Sequence, residues 1–212
     1  MPQIKLYYRP KTCALAPLIL LHEAGLKFVT VQPTLNGDQF SEELRLINTK
    51  MRIPVLLLDG ETITEVPAVS AAIANLAPAM HLMGREPLDS LRVYEWMNWL
   101  SGTLHAKSFG PLFRPHRFSD DSAAFEGIKA KAMESINDCF DLIEEKLTDV
   151  YAVGGAFTVV DPFLFVFYRW GNNAAGLEMK DRYPKYTALV SNLLQRTAVK
   201  TALEAENLDL TL

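Results

Sequence analysis

The order of apolar and polar positions divides the chain into a first part that alternates strands with helices and a second part that contains helices alone. β-prone runs have period-two or continuous apolar character, and helical runs carry leucine or alanine at spacings of three and four. The predicted elements of the first part follow the order β-α-β-α-β-β-α and lie over residues 4–8, 13–26, 27–33, 40–48, 53–64 (a hairpin) and 67–76.

This order predicts a small sheet with both parallel and antiparallel pairs. A helix between two strands places those strands parallel, because the crossover returns the chain to the same end of the sheet. The pair Asp59-Gly60 favours a tight hairpin turn, so the two runs around it form an antiparallel edge. Pro67 at the first position of the last helix fits there, since its missing N–H has no partner in a helix anyway.

The second part begins after residues 77–90, whose two prolines and one glycine indicate a linker. We therefore expect domains over 1–78 and 88–212. Two long helices are predicted, over 91–109 and 119–147, and the second carries Cys139 on its apolar stripe, so we expect Cys139 to lie in the core. Two more helices are predicted from Asp161 and from about Pro184.

Two residues before the third of these helices match a helix-capping pattern. Thr158 and Asp161 have the spacing of a T-x-x-D capping box, which we expect to stabilise the helix rather than to take part in chemistry. Trp170, which is predicted to end the same helix, either lines a pocket or packs in the core, and core packing is the favoured interpretation.

Composition excludes several classes of function. The chain has 212 residues, 49% of them hydrophobic, and a net charge of −4, so it has material for a sizeable core but no basic stripe for nucleic acid. The first ten residues lack the apolar stretch of a signal peptide, and the apolar runs are too short for a membrane span. The two cysteines lie far apart, which indicates a reduced, cytoplasmic protein, and no metal-ligand spacing occurs among the histidines.

Cys13 is the candidate for chemistry in the first part. At the start of a predicted helix, a thiolate faces unpaired N–H groups and the positive end of the helix dipole, which lower a thiol pKa, and Arg9 and Lys11 add positive charge nearby. The alternative is a buried, inert cysteine, which is the more common role of a free cysteine and the one that the residues alone favour.

Five stretches in order resemble glutathione S-transferases, in particular the cysteine-bearing bacterial beta class. They are KLYYRPKTCALAP (5–17), INTKMRIPVLLLDG (47–60), ITEVPAV (63–69), NWLSGTLH (98–105) and FTVVDPFLFVFYRW (157–170). The resemblance spans nearly the whole chain. It implies a thioredoxin-like βαβαββα domain followed by an all-helical domain, a homodimer, and glutathione as co-substrate with no metal.

The resemblance also implies roles for particular residues. Cys13 and His105 become the candidate catalytic residues. Pro54 is expected to follow a cis peptide bond, the alternative being an ordinary trans proline at a strand end. The residues expected to contact glutathione are Tyr8, Ile53, Pro54, Glu65, Val66 and Asn98. Asn98 and His105 are two helical turns apart and are expected to share a face, but a histidine satisfied in the core or in solvent is an equal alternative.

The sequence departs from the family pattern at two of these places. Val66 stands where the family has serine or threonine, so the backbone N–H remains but the hydroxyl that binds the γ-glutamyl carboxylate is missing. Losing one hydrogen bond to a charged group costs about 1.5–3 kcal/mol. Met51 stands where the family has glycine in a turn.

The resemblance implies an enzyme that uses the glutathione thiol on a small apolar electrophile, or in thiol–disulfide exchange through Cys13 with reductase or peroxidase activity. The alternative is a non-catalytic module that keeps the fold and binds an apolar ligand or a protein partner, which Val66 and Met51 favour. A dithiol oxidoreductase is disfavoured because the sequence has no C-x-x-C motif.

Overall fold

The computed structural model describes residues 2–36 and 39–210. Its first part has the predicted order of elements, with one additional two-stranded piece. The elements are β1 (Ile4–Tyr7), α1 (Leu15–Glu23), β2 (Val29–Val31), β3 (Leu35–Asn36), β4 (Gln39–Phe40), α2 (Glu42–Arg45), β5 (Val55–Leu58), β6 (Glu61–Thr64) and α3 (Val66–Leu76). Strands β3 and β4 pair with each other only, and at two residues each they are too short to leave a periodic signal.

The main sheet has the strand order β2-β1-β5-β6. β1 and β2 are parallel, and β5 and β6 form the antiparallel hairpin, as predicted. Asp59 and Gly60 in its turn have φ of 49° and 92°, the positive values that this tight turn requires. The central pair β1 and β5 is antiparallel and places Tyr7 opposite Val55, so the end of β1 lies beside the residue after Pro54.

Helix α1 carries apolar residues on every side, and other elements of the protein cover it on every side. All residues from Leu15 to Leu21 are buried. α1 packs against α3 in the first part and against two helices of the second part, α7 and α10. A helix with apolar residues all round is stable only in such a position. The chain just before α1, which contains Cys13, is therefore placed where the two parts of the protein meet.

The second part is helical, as predicted, with bounds that differ in detail. Its α-helices are α4 (Pro87–Trp99), α5 (Gly110–Phe113), α6 (Phe125–Lys146), α7 (Val160–Asn173), α8 (Met179–Arg182), α9 (Pro184–Leu193) and α10 (Thr197–Ala205). Between α4 and α5 the chain forms a π-helical segment, Leu100–Phe109. The predicted single helix over 91–109 is thus wrong beyond Trp99. Cys139 lies in the core, 5% exposed, as predicted.

The capping pattern before α7 is present in part. Asp161 Oδ2 accepts the main-chain N–H of Thr158 at 2.7 Å, while the Thr158 hydroxyl accepts the N–H of Val160 at 3.3 Å rather than that of Asp161. Asp161 Oδ1 also accepts the N–H of Ala152 at 2.9 Å. Both side chains are fully buried, so the pair joins the preceding loop to the helix start. α7 continues to Asn173, so Trp170 does not end it.

Within the part of the chain that the structure describes, no helix combines the length and the apolar character that a bilayer crossing requires.

Candidate active site

Cys13 lies in the loop between β1 and α1, two residues before the helix begins. Its side chain is 5% exposed. The Sγ thiol donates a hydrogen bond to the main-chain carbonyl of Ile53 over 3.8 Å. The peptide bond between Ile53 and Pro54 is cis, as the resemblance implies. The start of α1 and the turn before β5 are therefore joined through the thiol itself.

Burial determines the ionisation of this thiol. It raises the pKa of Cys13 to about 12, and this effect outweighs a main-chain hydrogen bond and the charge of Arg114, both of which lower the pKa. The prediction that the start of the helix lowers the pKa is therefore wrong. α1 begins only at Leu15, and the side chain of Cys13 is 5% exposed, so the loss of solvation outweighs what the start of the helix contributes. Cys13 is a neutral hydrogen-bond donor at pH 7.

The structure brings six of the eight predicted site residues around one small cavity. It is about 40 Å³ in volume, room for one sulfur-bearing group rather than for a whole tripeptide. The predicted residues that line it are Cys13, Ile53, Pro54, Glu65, Val66 and His105. The additional lining residues are Asn48, Arg52, Thr64 and Ser101.

The other two predicted residues, Tyr8 and Asn98, do not line the cavity. Tyr8 is 4% exposed, and its hydroxyl accepts a hydrogen bond from the side-chain amide of Gln32 at 3.3 Å. The exposed amide of Asn98 donates to the carbonyl of Tyr94 at 2.8 Å within α4. The chain changes from α-helix to π-helix at Leu100, and a π-helix turns less per residue than an α-helix. Seven residues therefore no longer make two full turns, and the prediction that Asn98 and His105 share a face fails. Ser101, four residues before His105, lies at the cavity instead.

The turn before Ile53 keeps a backbone conformation that suits glycine. Met51 has a φ of 53°, in the left-handed region. Asn48 holds the turn from inside: its amide donates to the carbonyl of Arg52 at 2.7 Å, and its side-chain oxygen accepts the N–H of Lys50 at 3.1 Å. Methionine therefore occupies the glycine position without removing the turn, at a cost in backbone strain.

Glu65 and Val66 stand at the start of α3, facing the same cavity. Glu65 has a φ of 72°, and its carboxylate accepts a hydrogen bond from Lys50 Nζ at 2.5 Å. Lys50 also donates to the Thr64 hydroxyl at 2.6 Å. Val66 is 5% exposed and brings no polar side-chain atom to the N-terminus of α3. The first main-chain N–H groups of α3 lack partners within the helix, and such groups suit an anion.

His105 lies in the π-helical segment with its ring among aromatic side chains. The ring centroid is 5.3 Å from that of Trp170 and 6.0 Å from that of Phe167. Burial first, and then the charges of Arg114 and Arg52, lower the pKa of His105 to about 4. The imidazole is neutral at pH 7 and offers one donor and one acceptor to the cavity.

The second part of the protein holds the Cys13 loop from two sides at Lys11. The indole N–H of Trp170 donates to the carbonyl of Lys11 at 3.1 Å, and the N–H of Lys11 donates to Glu206 Oε2 at 2.8 Å. Trp170 thus packs and also supports the site. Sequence reasoning missed Glu206 and Arg114 because their partners lie far away in the chain, whereas Arg52, beside Ile53, and Ser101, four residues before His105, had a positional signal.

The described residues contain no group of three or more histidine, cysteine, aspartate or glutamate side chains suited to a metal ion.

The fold and the site define the class of glutathione-binding transferase folds. Its features here are a thioredoxin-like sheet, a cis-proline turn, a thiol just before α1 and a helical second part. Comparison with known proteins agrees. The family model for the glutathione S-transferase N-terminal domain matches residues 2–75, and that for the C-terminal domain matches residues 103–197.

Individual relatives match over nearly their whole length. Glutathione S-transferase GstA of Escherichia coli O157:H7 is 32% identical over 97% of this chain and 100% of its own. A glutathione transferase homologue from Sulfitobacter, solved with bound glutathione, has a TM-score of 0.90 at 28% identity and covers 97% of this chain and 99% of its own. The bacterial beta-class enzyme of Sphingomonas chungbukensis has a TM-score of 0.84 at 31% identity, with coverages of 97% and 100%. The chain belongs to the glutathione S-transferase family.

Proposed function

We propose that this protein conjugates glutathione to a small apolar electrophile, with the glutathione sulfur held in the cavity beside Cys13. The observation that carries the proposal is the hydrogen bond from Cys13 Sγ to the carbonyl of Ile53 at 3.8 Å. It shows that a sulfur and the main chain before the cis-proline meet at one point. A cavity of about 40 Å³ at this point accommodates a second sulfur, while the rest of the tripeptide lies outside.

Glutathione has matching partners along the rim of this cavity. Ile53 offers its main-chain N–H and C=O to the cysteinyl part, and the N-terminus of α3 at Val66 offers N–H groups to the γ-glutamyl carboxylate. Glu65 offers a carboxylate to the γ-glutamyl amine, but Lys50 already binds that carboxylate. Val66 lacks the family's hydroxyl, so we expect binding about ten- to a hundredfold weaker than with serine at this position.

The neutral state of Cys13 favours conjugation over thiol–disulfide exchange. Exchange needs the Cys13 thiolate as nucleophile, and with a pKa of about 12 only about one thiol in 10⁵ is ionised at pH 7. A protonated Cys13 instead turns its one S–H from the carbonyl of Ile53 to a glutathione thiolate and donates a hydrogen bond to it. Arg52, which lines the cavity, adds positive charge that stabilises the same thiolate. His105, as a neutral imidazole, supplies a further hydrogen bond at the reacting groups.

In the proposed reaction the glutathione thiol first loses its proton to solvent. The thiolate then attacks an electrophilic carbon, and a carbon–sulfur bond forms as a leaving group departs with its bonding electrons, or as a proton from water completes an addition. The protein contributes position and charge. Neither Cys13 nor His105 forms a covalent bond in this scheme.

We also propose that the protein is a cytoplasmic homodimer. Both cysteines are free, as expected in a reducing compartment. The outer face of α4 exposes Leu88, Leu91 and Tyr94 by 59%, 63% and 53%, three apolar side chains at a spacing of three. Such a stripe fits a partner helix. Sedimentation should therefore give a dimer, and Leu91→Asp should give monomers.

The test of conjugation compares two substitutions at one position. With glutathione and 1-chloro-2,4-dinitrobenzene, Cys13→Ser keeps a hydrogen-bond donor, so it should retain a substantial part of the wild-type rate, while Cys13→Ala should lose more. Cys139→Ser serves as the control for a core cysteine. If wild type reduces a glutathione disulfide, and Cys13→Ser and Cys13→Ala are equally inactive in both assays, Cys13 acts as a nucleophile. The function is then thiol–disulfide exchange rather than conjugation. If the wild type is inactive in both assays, the fold serves as a binding module.

A further inference from the structure

Three arginine side chains near the cavity have no carboxylate partner among residues 2–36 and 39–210. Arg52 lines the cavity, Arg114 directly follows α5, and Arg117 ends the next short turn, Pro115–Arg117. None of them takes part in the ion pairs of the described chain. All three side chains are exposed, and arginines without a carboxylate partner are available to a ligand.

The three guanidinium groups act on one another and on the site. The pKa of Arg117 is lowered by partial burial and by the charges of Arg114 and Arg52. The charge of Arg114 also lowers the pKa of both Cys13 and His105.

The acidic residue that acts on the same two groups does not cancel this charge. Glu65 raises the pKa of both Cys13 and His105, but it is bound by Lys50 at 2.5 Å. A chain with a net charge of −4 thus carries a local excess of positive charge at its candidate active site.

Exposed aromatic rings lie beside these arginines. Phe113 and Phe118 are 39% and 52% exposed. The Phe113 ring meets that of Trp170 edge to face at 5.0 Å, and Trp170 in turn contacts His105. A Cβ built on Gly110 would lie 3.7 Å from the Phe118 ring and 3.4 Å from the carbonyl oxygen of His105. Both exposed rings therefore lie on the segment around α5 that carries Arg114 and Arg117, and Phe113 is joined to the imidazole of His105 through Trp170.

We propose that Arg114, Arg117, Phe113 and Phe118 form a subsite for an aromatic group that bears a carboxylate, so that the preferred electrophile is an anionic aryl compound. The rings bind the aryl face, and the guanidinium groups bind the carboxylate. Arg52 is assigned to glutathione, because it precedes Ile53 and lines the sulfur cavity. The inference rests on the proposed conjugation, and it narrows the second substrate from an apolar electrophile to an aromatic one that also bears a carboxylate.

The test uses two electrophiles that differ in one group, 4-chloro-3-nitrobenzoate and 4-chloro-3-nitrobenzamide. Glutathione displaces chloride from either ring: the thiol proton goes to water, the carbon–sulfur bond forms, and chloride leaves with the bonding electrons. Each kcat/KM is divided by the rate of the uncatalysed reaction. The wild type should favour the benzoate, and Arg117→Gln should reduce this preference about two- to fivefold, the size expected for a partly exposed charge pair.

Lys180→Gln provides the control, because it removes the same charge from an exposed position on α8. It should leave the preference unchanged. Arg114→Gln should act in the same direction as Arg117→Gln, and high salt should weaken the preference in the wild type. An equal preference in wild type and Arg117→Gln would overturn the subsite.

Binding of the benzoate without glutathione separates the two proposals. Calorimetry should show weaker binding to Arg117→Gln than to wild type and to Lys180→Gln. Such a difference, with no turnover of either electrophile, would contradict the conjugation but support the subsite. Equal binding by all three proteins would overturn the subsite even if the benzamide is turned over.

Discussion

The main-chain N–H of Lys11 donates to the buried carboxylate of Glu206 at 2.8 Å, across 195 residues of sequence. Trp170 binds the carbonyl of the same residue from the other side. The loop that carries Cys13 is therefore fixed by α7 and by the residue after α10, not by its own neighbours alone.

Glu206→Ala should loosen this loop. The substitution leaves the Lys11 N–H without its acceptor, at a cost of about 1–3 kcal/mol in the free energy of unfolding. We expect a higher KM for glutathione and a lower kcat. Glu206→Gln retains an acceptor oxygen and should restore most of both. A Glu206→Gln protein as impaired as Glu206→Ala, by urea unfolding and by kinetics, would show that the hydrogen bond does not position the loop.

Stability should depend on pH through the same carboxyl group. Burial raises the pKa of Glu206 from 4.5 to about 7, so between these values the folded protein holds a proton that the unfolded chain has lost. Stability from this group is present at low pH and is lost as pH rises through about 7. The melting temperature of Glu206→Gln should therefore rise relative to wild type between pH 5 and pH 8. A difference that is constant over this range would refute the shifted pKa.

Met51→Gly should stabilise the protein. Met51 has a φ of 53°, which costs a side-chain-bearing residue about 1–2 kcal/mol, whereas glycine adopts it freely and loses about 0.5–1 kcal/mol in backbone entropy. A net gain of about 0.5–1 kcal/mol in the free energy of unfolding follows. Thr49→Gly, in the same loop but without a positive φ, should be neutral or destabilising. Urea unfolding of the three proteins decides the matter, and a loss of stability in Met51→Gly would count against backbone strain.

Alkaline pH should destabilise the protein through Cys13. With a pKa of about 12 when folded, against an ordinary value of 9.0, the thiol stays protonated where the unfolded chain ionises. Stability is full below pH 9 and declines as pH rises towards 12. Cys13→Ser should flatten this decline. In native protein at pH 8, iodoacetamide should label Cys13 far more slowly than in urea; equal rates would show a reactive thiolate instead.

The sequence predicted those features that depend on short stretches of chain. The parallel pair β1 and β2, the hairpin at Asp59-Gly60 and the place of Cys139 in the core follow from local periodicity and turn chemistry. The cis bond at Pro54 followed from the resemblance alone. The ionisation of Cys13 was beyond local reasoning, because a helix end lowers a thiol pKa only if it faces the thiol and the surroundings remain solvated.

The parts of the site that come from far along the chain could not be predicted. The spacing of the apolar residues Val93, Trp96 and Leu100 is that of a continuous α-helix. This spacing does not indicate the π-helical segment, which brings Ser101 rather than Asn98 to the cavity. Arg114 and Glu206 reach the site only through the packing of helices that are themselves held by distant contacts.

The most direct test of the central claim, that glutathione binds with its sulfur beside Cys13 and its γ-glutamyl carboxylate at α3, is a calorimetric titration of the protein with glutathione. Wild type should bind with a Kd on the order of micromolar to low millimolar, and Val66→Ser should bind about ten- to a hundredfold more tightly. Val150→Ser, the same exchange at a remote exposed position, should match wild type. No heat of binding in wild type or in Val66→Ser, with both proteins folded, would contradict the account.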